Sequence, residues 1–211
     1  MDHLPPAWER LAERGPLTAF FATIGAVLSG TDRFFRELDP DGPIGPALSF
    51  WLLTTLPPLV VSGFSGNRLL DRLLSGELTA SAPLDWHIPW WVLPVVAPVV
   101  QFASILLGLA IVHLVLRGLK EAHGGWSGTL RAAGYASAPA VLGLVPIAGA
   151  PIAGLWAAIL QFMALRRVHG ARTSALLAAY ILPVLAVVLV AVLLVVIAIR
   201  IYAPDLGSLV G

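Results

Sequence analysis

The 211-residue sequence contains no cysteine and unusually little charge. The absence of cysteine excludes disulfides, thiol chemistry and cysteine-ligated metal sites, and it leaves the redox compartment open. Charged residues make up only 12% and hydrophobic residues 58% of the chain, whereas roughly a quarter of the residues of a soluble domain are charged. Mean hydropathy is +0.86. These values exclude an ordinary water-soluble domain and predict an integral membrane protein.

Lysine is also scarce, because twelve of the 13 basic residues are Arg and Lys120 is the only Lys. The net charge is +1, so no global basic field attracts nucleic acid, and no nucleic-acid partner is predicted. Abundant Ala, Gly, Pro and Arg are typical of a GC-rich, prokaryotic genome. The first residues lack a basic region followed by an apolar core, so a cleaved signal peptide is not expected.

Long uncharged stretches define the candidate membrane spans, since about 20 apolar residues are needed to cross about 30 Å of hydrocarbon. Between Arg131 and Arg166 lie 34 uncharged residues, which would extend about 51 Å as one helix. Pro146, Gly149 and Pro151 break this stretch and predict a hairpin between two short spans. We therefore predict an all-α, polytopic membrane helical bundle with five spans, at about 46–65, 89–116, 132–148, 151–166 and 174–200.

The positions of Lys and Arg predict the orientation, because these residues concentrate in cytoplasmic loops. Five spans with a cytoplasmic N-terminus place ten basic residues inside and three outside. A single crossing between Arg131 and Arg166 would place eight inside and five outside. The sequence thus predicts a multi-pass protein of the cell (inner) membrane, with its N-terminus in the cytoplasm and its C-terminus outside.

The segment ahead of the first span mixes aromatic residues with arginines. Its uncharged part, 17–30, has only 14 residues, which is short for a crossing. Two interpretations stay open: an amphipathic helix in the headgroup layer, or a helix packed on the cytoplasmic ends of the bundle. The predicted division is a cytoplasmic amphipathic interfacial segment at 1–40 and a five-helix membrane domain at 41–211.

Apart from Arg166 and Arg200 at their ends, the predicted spans contain no charged residue, which would be the strongest pointer to function inside a membrane. The polar candidates are neutral: Gln101, His113, Tyr135 and Gln161. Such residues mostly bond between helices, for about 1 kcal/mol or less, and a solute-lining role for the two glutamines stays open. His113 lies near the cytoplasmic end of its span without an intramembrane carboxylate, which favours a hydrogen-bonded histidine over a proton relay.

Motifs for catalysis and cofactors are weak or missing. The GxSG segment at 63–66 has the form of a rhomboid-protease nucleophile, but such a serine needs a nearby base. His113 lies roughly 36 Å along the next span from that end. The five histidines are scattered, and there is no phosphate-binding loop. We predict a non-enzyme with no catalytic residue, no cofactor and no metal.

Small residues recur every four positions in the fourth span, at Ala150, Gly154 and Ala158. Such a face lets helices approach closely in lipid. It predicts a helix-packing face with two alternative partners: the third span of the same hairpin, or a second copy of the chain in a homodimer.

Motifs between about residues 25 and 200 form a recognisable set: 27–38, 124–139, 146–149, Trp156 and 165–170. Together they resemble the Yip family, the Ypt/Rab-interacting membrane proteins, in its bacterial and archaeal branch. Two departures concern helix packing. Gly30-Thr31 stands where a Ser-Pro pair is usual, and Met163-Ala164 where a Gly often precedes the Leu-Arg pair.

The resemblance implies a five-span membrane protein with no enzymatic activity assigned to the fold. Eukaryotic relatives are associated with Rab GTPases and membrane shaping, and a prokaryote lacks that machinery. The leading hypothesis is a membrane organiser or scaffold in the lipid bilayer, acting as a homo-oligomer or through an unidentified membrane or cytoplasmic protein. The alternative is a channel, small-solute transporter or lipid-translocating protein, because prolines interrupt several spans.

Overall fold

A computed structural model describes the backbone of residues 5–74, 92–145 and 148–202, and the side chains of residues 5–61, 95–96, 98–145 and 148–197. These residues form helices and contain no strand. The helices are a 3-10 helix at Ala7–Arg10, α1 at Leu11–Arg14, α2 at Pro16–Ser29, α3 at Thr31–Glu37, α4 at Ile44–Leu74, α5 at Val92–Gly118, α6 at Gly125–Ala136, a second 3-10 helix at Ala138–Leu144, α7 at Gly149–His169 and α8 at Thr173–Tyr202. The predicted all-α membrane bundle is confirmed.

Four of the described helices are long and apolar enough to cross a membrane. They correspond to the predicted first, second, fourth and fifth spans, and their apolar windows are Ile44–Val61, Pro98–Gly118, Gly149–His169 and Thr173–Ile197. α2 is a shorter apolar helix. These four long helices are the structural evidence that the chain is a membrane protein.

The predicted third span, 132–148, is not one continuous α-helix. α6 ends at Ala136 and a 3-10 helix follows from Ala138 to Leu144. Pro139 fixes the backbone at the start of the 3-10 helix and supplies no N–H group. Residues 128–139 are all buried, so this segment forms the centre of the fold. The count of five crossings stays a prediction.

The predicted hairpin lies at the start of α7. Pro146 lies outside the described residues. Gly149 is the first residue of α7, and Pro151 stands in the first turn, where a missing N–H breaks no helical hydrogen bond. An added Cβ on Gly149 would lie only 2.0 Å from the backbone oxygen of Leu142. The chain therefore needs glycine at this point to bring α7 against the second 3-10 helix.

Close backbone contact also joins α4 to α6. A Cβ on Gly134 would lie 2.6 Å from the backbone oxygen of Ala47. On the same face of α6, the hydroxyl of Ser137 lies 2.7 Å from that of buried Thr54. These contacts place α6 in the core beside α4.

α5 and α7 end in the same way. At the end of α5, the backbone N–H of Glu121 donates to the oxygen of Leu116, five residues earlier, at 2.8 Å. At the end of α7, the N–H of Ala171 donates to the oxygen of Arg166 at 3.1 Å. The residue in the left-handed conformation is Lys120 (φ 59°) in one end and Gly170 (φ 61°) in the other. These are Schellman motifs, which close the helix ends and turn the chain sharply.

The N-terminal segment packs on the bundle through one face. The indole of Trp8 is buried, and its Nε1 donates to Ser49 Oγ of α4 at 3.0 Å. The backbone N–H of Trp8 donates to Thr23 Oγ1 of α2 at 2.9 Å. The opposite face of α2 exposes Leu17 and Phe21, which are 73% and 66% accessible. The predicted boundary near residue 40 stays a prediction.

The α4–α6 approach predicts a strong effect of one methyl group. Gly134→Ala should lower the free energy of unfolding by about 1–3 kcal/mol, because the methyl meets a backbone oxygen that cannot move away. Gly108→Ala in α5 is the control, since a Cβ there meets nothing within 4 Å. Thermal unfolding in detergent measures both variants. Equal melting temperatures for the two would contradict the close packing.

Candidate functional site

The guanidinium of Arg131 forms the centre of a buried polar network at one end of the bundle. Its side chain is 1% exposed, and Nη2 lies 2.7 Å from Oε1 of Glu9, which is 8% exposed. The hydroxyl of Tyr135 donates to the same carboxylate oxygen at 2.8 Å. Arg131 Nε donates to the backbone oxygen of Asp39 at 2.8 Å, and Nη1 to that of Pro43. All three guanidinium nitrogens are therefore bonded.

This network holds separate parts of the chain together. A buried ion pair is tolerated only when hydrogen bonds satisfy its remaining donors and acceptors, and backbone carbonyls do this for Arg131. Gly42 lies against the guanidinium, and an added Cβ would come within 2.7 Å of Cζ. The segment 39–43 thus wraps one side of Arg131, while Glu9 closes another.

A second network joins the ends of α5 and α7 to α6. The N–H of Gly124 donates to His169 Nδ1 at 3.0 Å, so neutral His169 carries its proton on Nε2. That Nε2 lies 2.9 Å from Thr129 Oγ1 and donates to it. Thr129 Oγ1 also lies 2.8 Å from His113 Nδ1. His113 is therefore a hydrogen-bonded interhelical residue in this structure.

Ion pairs at the surface of the same end hold neighbouring helices together. Arg172 Nε lies 2.6 Å from Glu121 Oε1, and the Arg172 N–H donates to Oε2 at 3.2 Å. These bonds hold the pKa of Glu121 below its ordinary value. Asp32 of α3 pairs with Arg167 of α7. Desolvation acts to raise the pKa of Asp32, but the two arginines beside it outweigh this and lower it.

The opposite half of the bundle contains an apolar cavity of about 350 Å³. It lies among α4, α5, α7 and the second 3-10 helix, and it is open on one side. Gln101 is one of the few polar residues on its wall. Two positions of the predicted small-residue face, Ala150 and Gly154, line it as well.

A second cavity, of about 280 Å³, lies among α5, α7 and α8. Gln161 and Tyr180 contribute its polar groups. The hydroxyl of Tyr180 is buried and has no hydrogen-bond partner among the described residues. The two glutamines predicted as cavity residues therefore line separate cavities, and Tyr135 lies in the Arg131 network.

The small-residue face of α7 is open at its centre. A Cβ on Gly154 would meet nothing within 4 Å, and Ala150 and Ala158 are exposed. The tight contact to the preceding segment is made by Gly149 instead. Whether a second copy covers this face stays a prediction.

Sequence reasoning did not find the principal partners in the two networks. Glu9 and Arg131 are 122 residues apart, and Arg131 was counted only among the basic residues of the predicted cytoplasmic segments. Thr129 and His169 are 40 residues apart, and their motifs pointed only to a family. The signal that could have found Arg131 was its place inside an otherwise small and apolar stretch.

Comparison with known families adds to this geometry. A family model, the Yip1 domain, matches residues 7–195. The chain belongs to the Yip1 family. No curated protein and no solved structure matches it. The Yip resemblance predicted from the motifs is confirmed, and the matched region includes both polar networks and both cavities of this Yip1 domain.

Removing one partner of the Yip1-domain ion pair leaves the other charge buried, so the losses from removing each partner should not add. We expect Arg131→Met to lower the free energy of unfolding by about 3–5 kcal/mol, because Glu9 is left charged and buried. The double variant Glu9→Gln/Arg131→Met should lose less than the sum of the single variants. Chemical unfolding in detergent measures this cycle.

The control for this cycle is Arg33→Met. Arg33 pairs with Glu37 on the surface of α3, and its side chain is 81% exposed. Its removal should change stability by less than about 1 kcal/mol. Additive losses for Glu9 and Arg131, or an equal loss for Arg33, would contradict the structural role of the network.

The Glu121–Arg172 pair predicts an acid-sensitive contribution to stability. The folded-state pKa of Glu121 is lower than its ordinary value of 4.5, so the pair stabilises the fold above that value. This contribution is lost as pH falls through the folded-state pKa. Between about pH 7 and pH 3, Glu121→Gln should lose less thermal stability than the parent protein. Parallel pH profiles would show that the pair contributes nothing.

Proposed function

We propose that this Yip1-family protein is a non-enzymatic membrane organiser that acts by associating with other membrane proteins, in the first place with copies of itself. The observation that carries the proposal is the second half of α8. Every large hydrophobic residue from Val184 to Ile197 is between 49% and 69% exposed. These residues lie on all sides of the helix, so within the part of the chain that the structure describes, half of this membrane span is largely uncovered by protein.

The first half of α8 is different. Leu176 and Ala179 are fully buried, and Ala175 is 7% exposed. Pro183 follows, inside the helix. α8 is therefore fixed at one end of the bundle and extends from it as an apolar rod. Packing between helices drives association in lipid, and this rod offers the largest unused helix surface among the described residues.

The internal polar groups support a structural role over chemistry. The hydroxyl of Thr129 and the imidazoles of His113 and His169 bond to each other or to the backbone. The carboxylate of Glu9 is bonded to Arg131 and Tyr135. The cavities favour an organiser over a solute channel, because Gln101 and Gln161 line different, mainly apolar spaces.

The placement of charge supports the proposed orientation. The arginines of α3, of the α7 C-terminus and of the α8 N-terminus lie at the end that holds the Arg131 network. Basic residues favour the cytoplasmic side of the membrane. We therefore place this end, with the N-terminal segment, in the cytoplasm.

Self-association through α8 can be tested with engineered thiols. The chain has no native cysteine, so Val188→Cys would carry its only thiol. We expect disulfide-linked dimers of this variant in oxidised native membranes, and vesicles containing the parent protein should differ in shape from protein-free vesicles by electron cryomicroscopy. Leu155→Cys is the control, because Leu155 is also 68% exposed but lies on α7.

The results separate the alternatives. Selective cross-linking of Val188→Cys together with altered vesicle shape would agree with the proposal. A monomer in nanodiscs, equal absence of cross-links at both positions and unchanged vesicles would contradict it. Passage of an encapsulated solute would favour the channel or transporter alternative.

A further inference from the structure

We propose that the cavity among α4, α5, α7 and the second 3-10 helix binds one acyl chain of a glycerophospholipid, with the Gln101 amide donating a hydrogen bond to its ester carbonyl. The proposal rests on the depth, polarity and length of the cavity. It does not depend on the organiser function.

α7 provides a scale for depth. Its 21 residues extend about 32 Å, which matches a hydrocarbon core of about 30 Å. His169 at one end is bonded into the charged end of the bundle, so Gly149 marks the opposite boundary. Ala150 and Ala157 line the cavity, and they lie about 2 Å and 12 Å below that boundary.

Gln101 lies near the same boundary. It is 17 residues from the end of α5 at Gly118, which places it about 26 Å from the charged end. On a core of about 30 Å, Gln101 therefore lies about 4 Å inside the far boundary. The glycerol esters of a phospholipid lie just outside this boundary, so the amide of Gln101 can reach them when its side chain extends toward the interface.

The length of the cavity decides between a lipid chain and a protein helix. The cavity extends inward from the far boundary to about the level of Trp51 and Ala157, mainly within one leaflet. A transmembrane helix of a partner would need a surface along about 20 residues of both proteins. An acyl chain needs only one leaflet, and the cavity's mainly apolar wall suits it.

The polarity of Gln101 indicates what the occupant carries. The amide has no hydrogen-bond partner among the described residues, and an unpaired amide is unfavourable in hydrocarbon. An ester carbonyl at this depth supplies the missing acceptor. The absence of a side chain at Gly154, where a Cβ would meet nothing within 4 Å, leaves the space that the acyl chain occupies.

The test is a titration of the delipidated full-length protein followed by native mass spectrometry. The probes are dioleoyl phosphatidylglycerol and its diether analogue, which lacks ester carbonyls. We expect one diester lipid to bind more tightly than the rest. Gln101→Leu should weaken its binding about fivefold, the effect of one hydrogen bond. The same variant should leave binding of the diether lipid unchanged.

A second variant tests the space itself. Gly154→Leu places a side chain in the cavity and should weaken the tight binding at least about tenfold. Ala158→Leu is the matched control, because Ala158 is exposed on the same helix and is not part of the cavity wall. The proposal is overturned if Gly154→Leu binds as tightly as the parent protein, or if Ala158→Leu loses as much. It is also overturned if Gln101→Leu weakens diester and diether lipids equally.

Discussion

The guanidinium of Arg131 is the constraint on which the charged end of the molecule depends. Its donors point in three directions, to Glu9, to Asp39 and to Pro43, so one side chain fixes the N-terminal segment, the start of α4 and α6. A guanidinium suits this task because its donors form a rigid planar fork. Gly42 approaches it closely, and Glu9 in turn holds the hydroxyl of Tyr135. Without this charge, the N-terminal segment would still be held by the packing and bonds of Trp8 and by the Asp32–Arg167 pair.

Uncharged stretches and the Pro-Gly break at 146–151 were sufficient to predict the four long apolar helices, but the charges gave no indication of their own partners. A gap between Asp41 and Arg68 is long enough to cross a membrane whatever surrounds it, so α4 follows from the sequence. The ion pair of Arg131 joins residues 122 positions apart, and a local sequence pattern cannot predict a contact across that separation. The same holds for Thr129 and His169. The interruption of the third segment also lay beyond the sequence, because Pro139 can either kink an α-helix or begin a 3-10 helix.

The close contacts of individual glycines could not be predicted from the sequence either. Gly134, Gly149 and Gly154 all occur among small residues, and the sequence pattern treats them alike. In the structure, a Cβ at Gly134 or Gly149 would collide with a backbone oxygen, whereas one at Gly154 would meet open space. What distinguishes them is the neighbouring segment, Ala47 in one case and Leu142 in another. A small-residue motif therefore predicts close packing at that face, but not whether the packing partner is the same chain, another chain or a lipid.

The two halves of the bundle differ in how they are stabilised: polar networks fix the charged half, and the other half presents apolar surface to the membrane. At the charged end, ion pairs and the histidine network join α3, α5, α6, α7 and the start of α8. Toward the opposite end, α8 beyond Pro183 is largely exposed among the described residues, and the larger of the two cavities opens between α5 and α7. Polar networks in a low-dielectric interior are strong only when every member is satisfied, which ties the Arg131 and histidine networks to fixed positions. The apolar half has no such directional bonds, so lipids or neighbouring helices can pack against it without disturbing the fold. We therefore expect the proposed organising function to act mainly through that half.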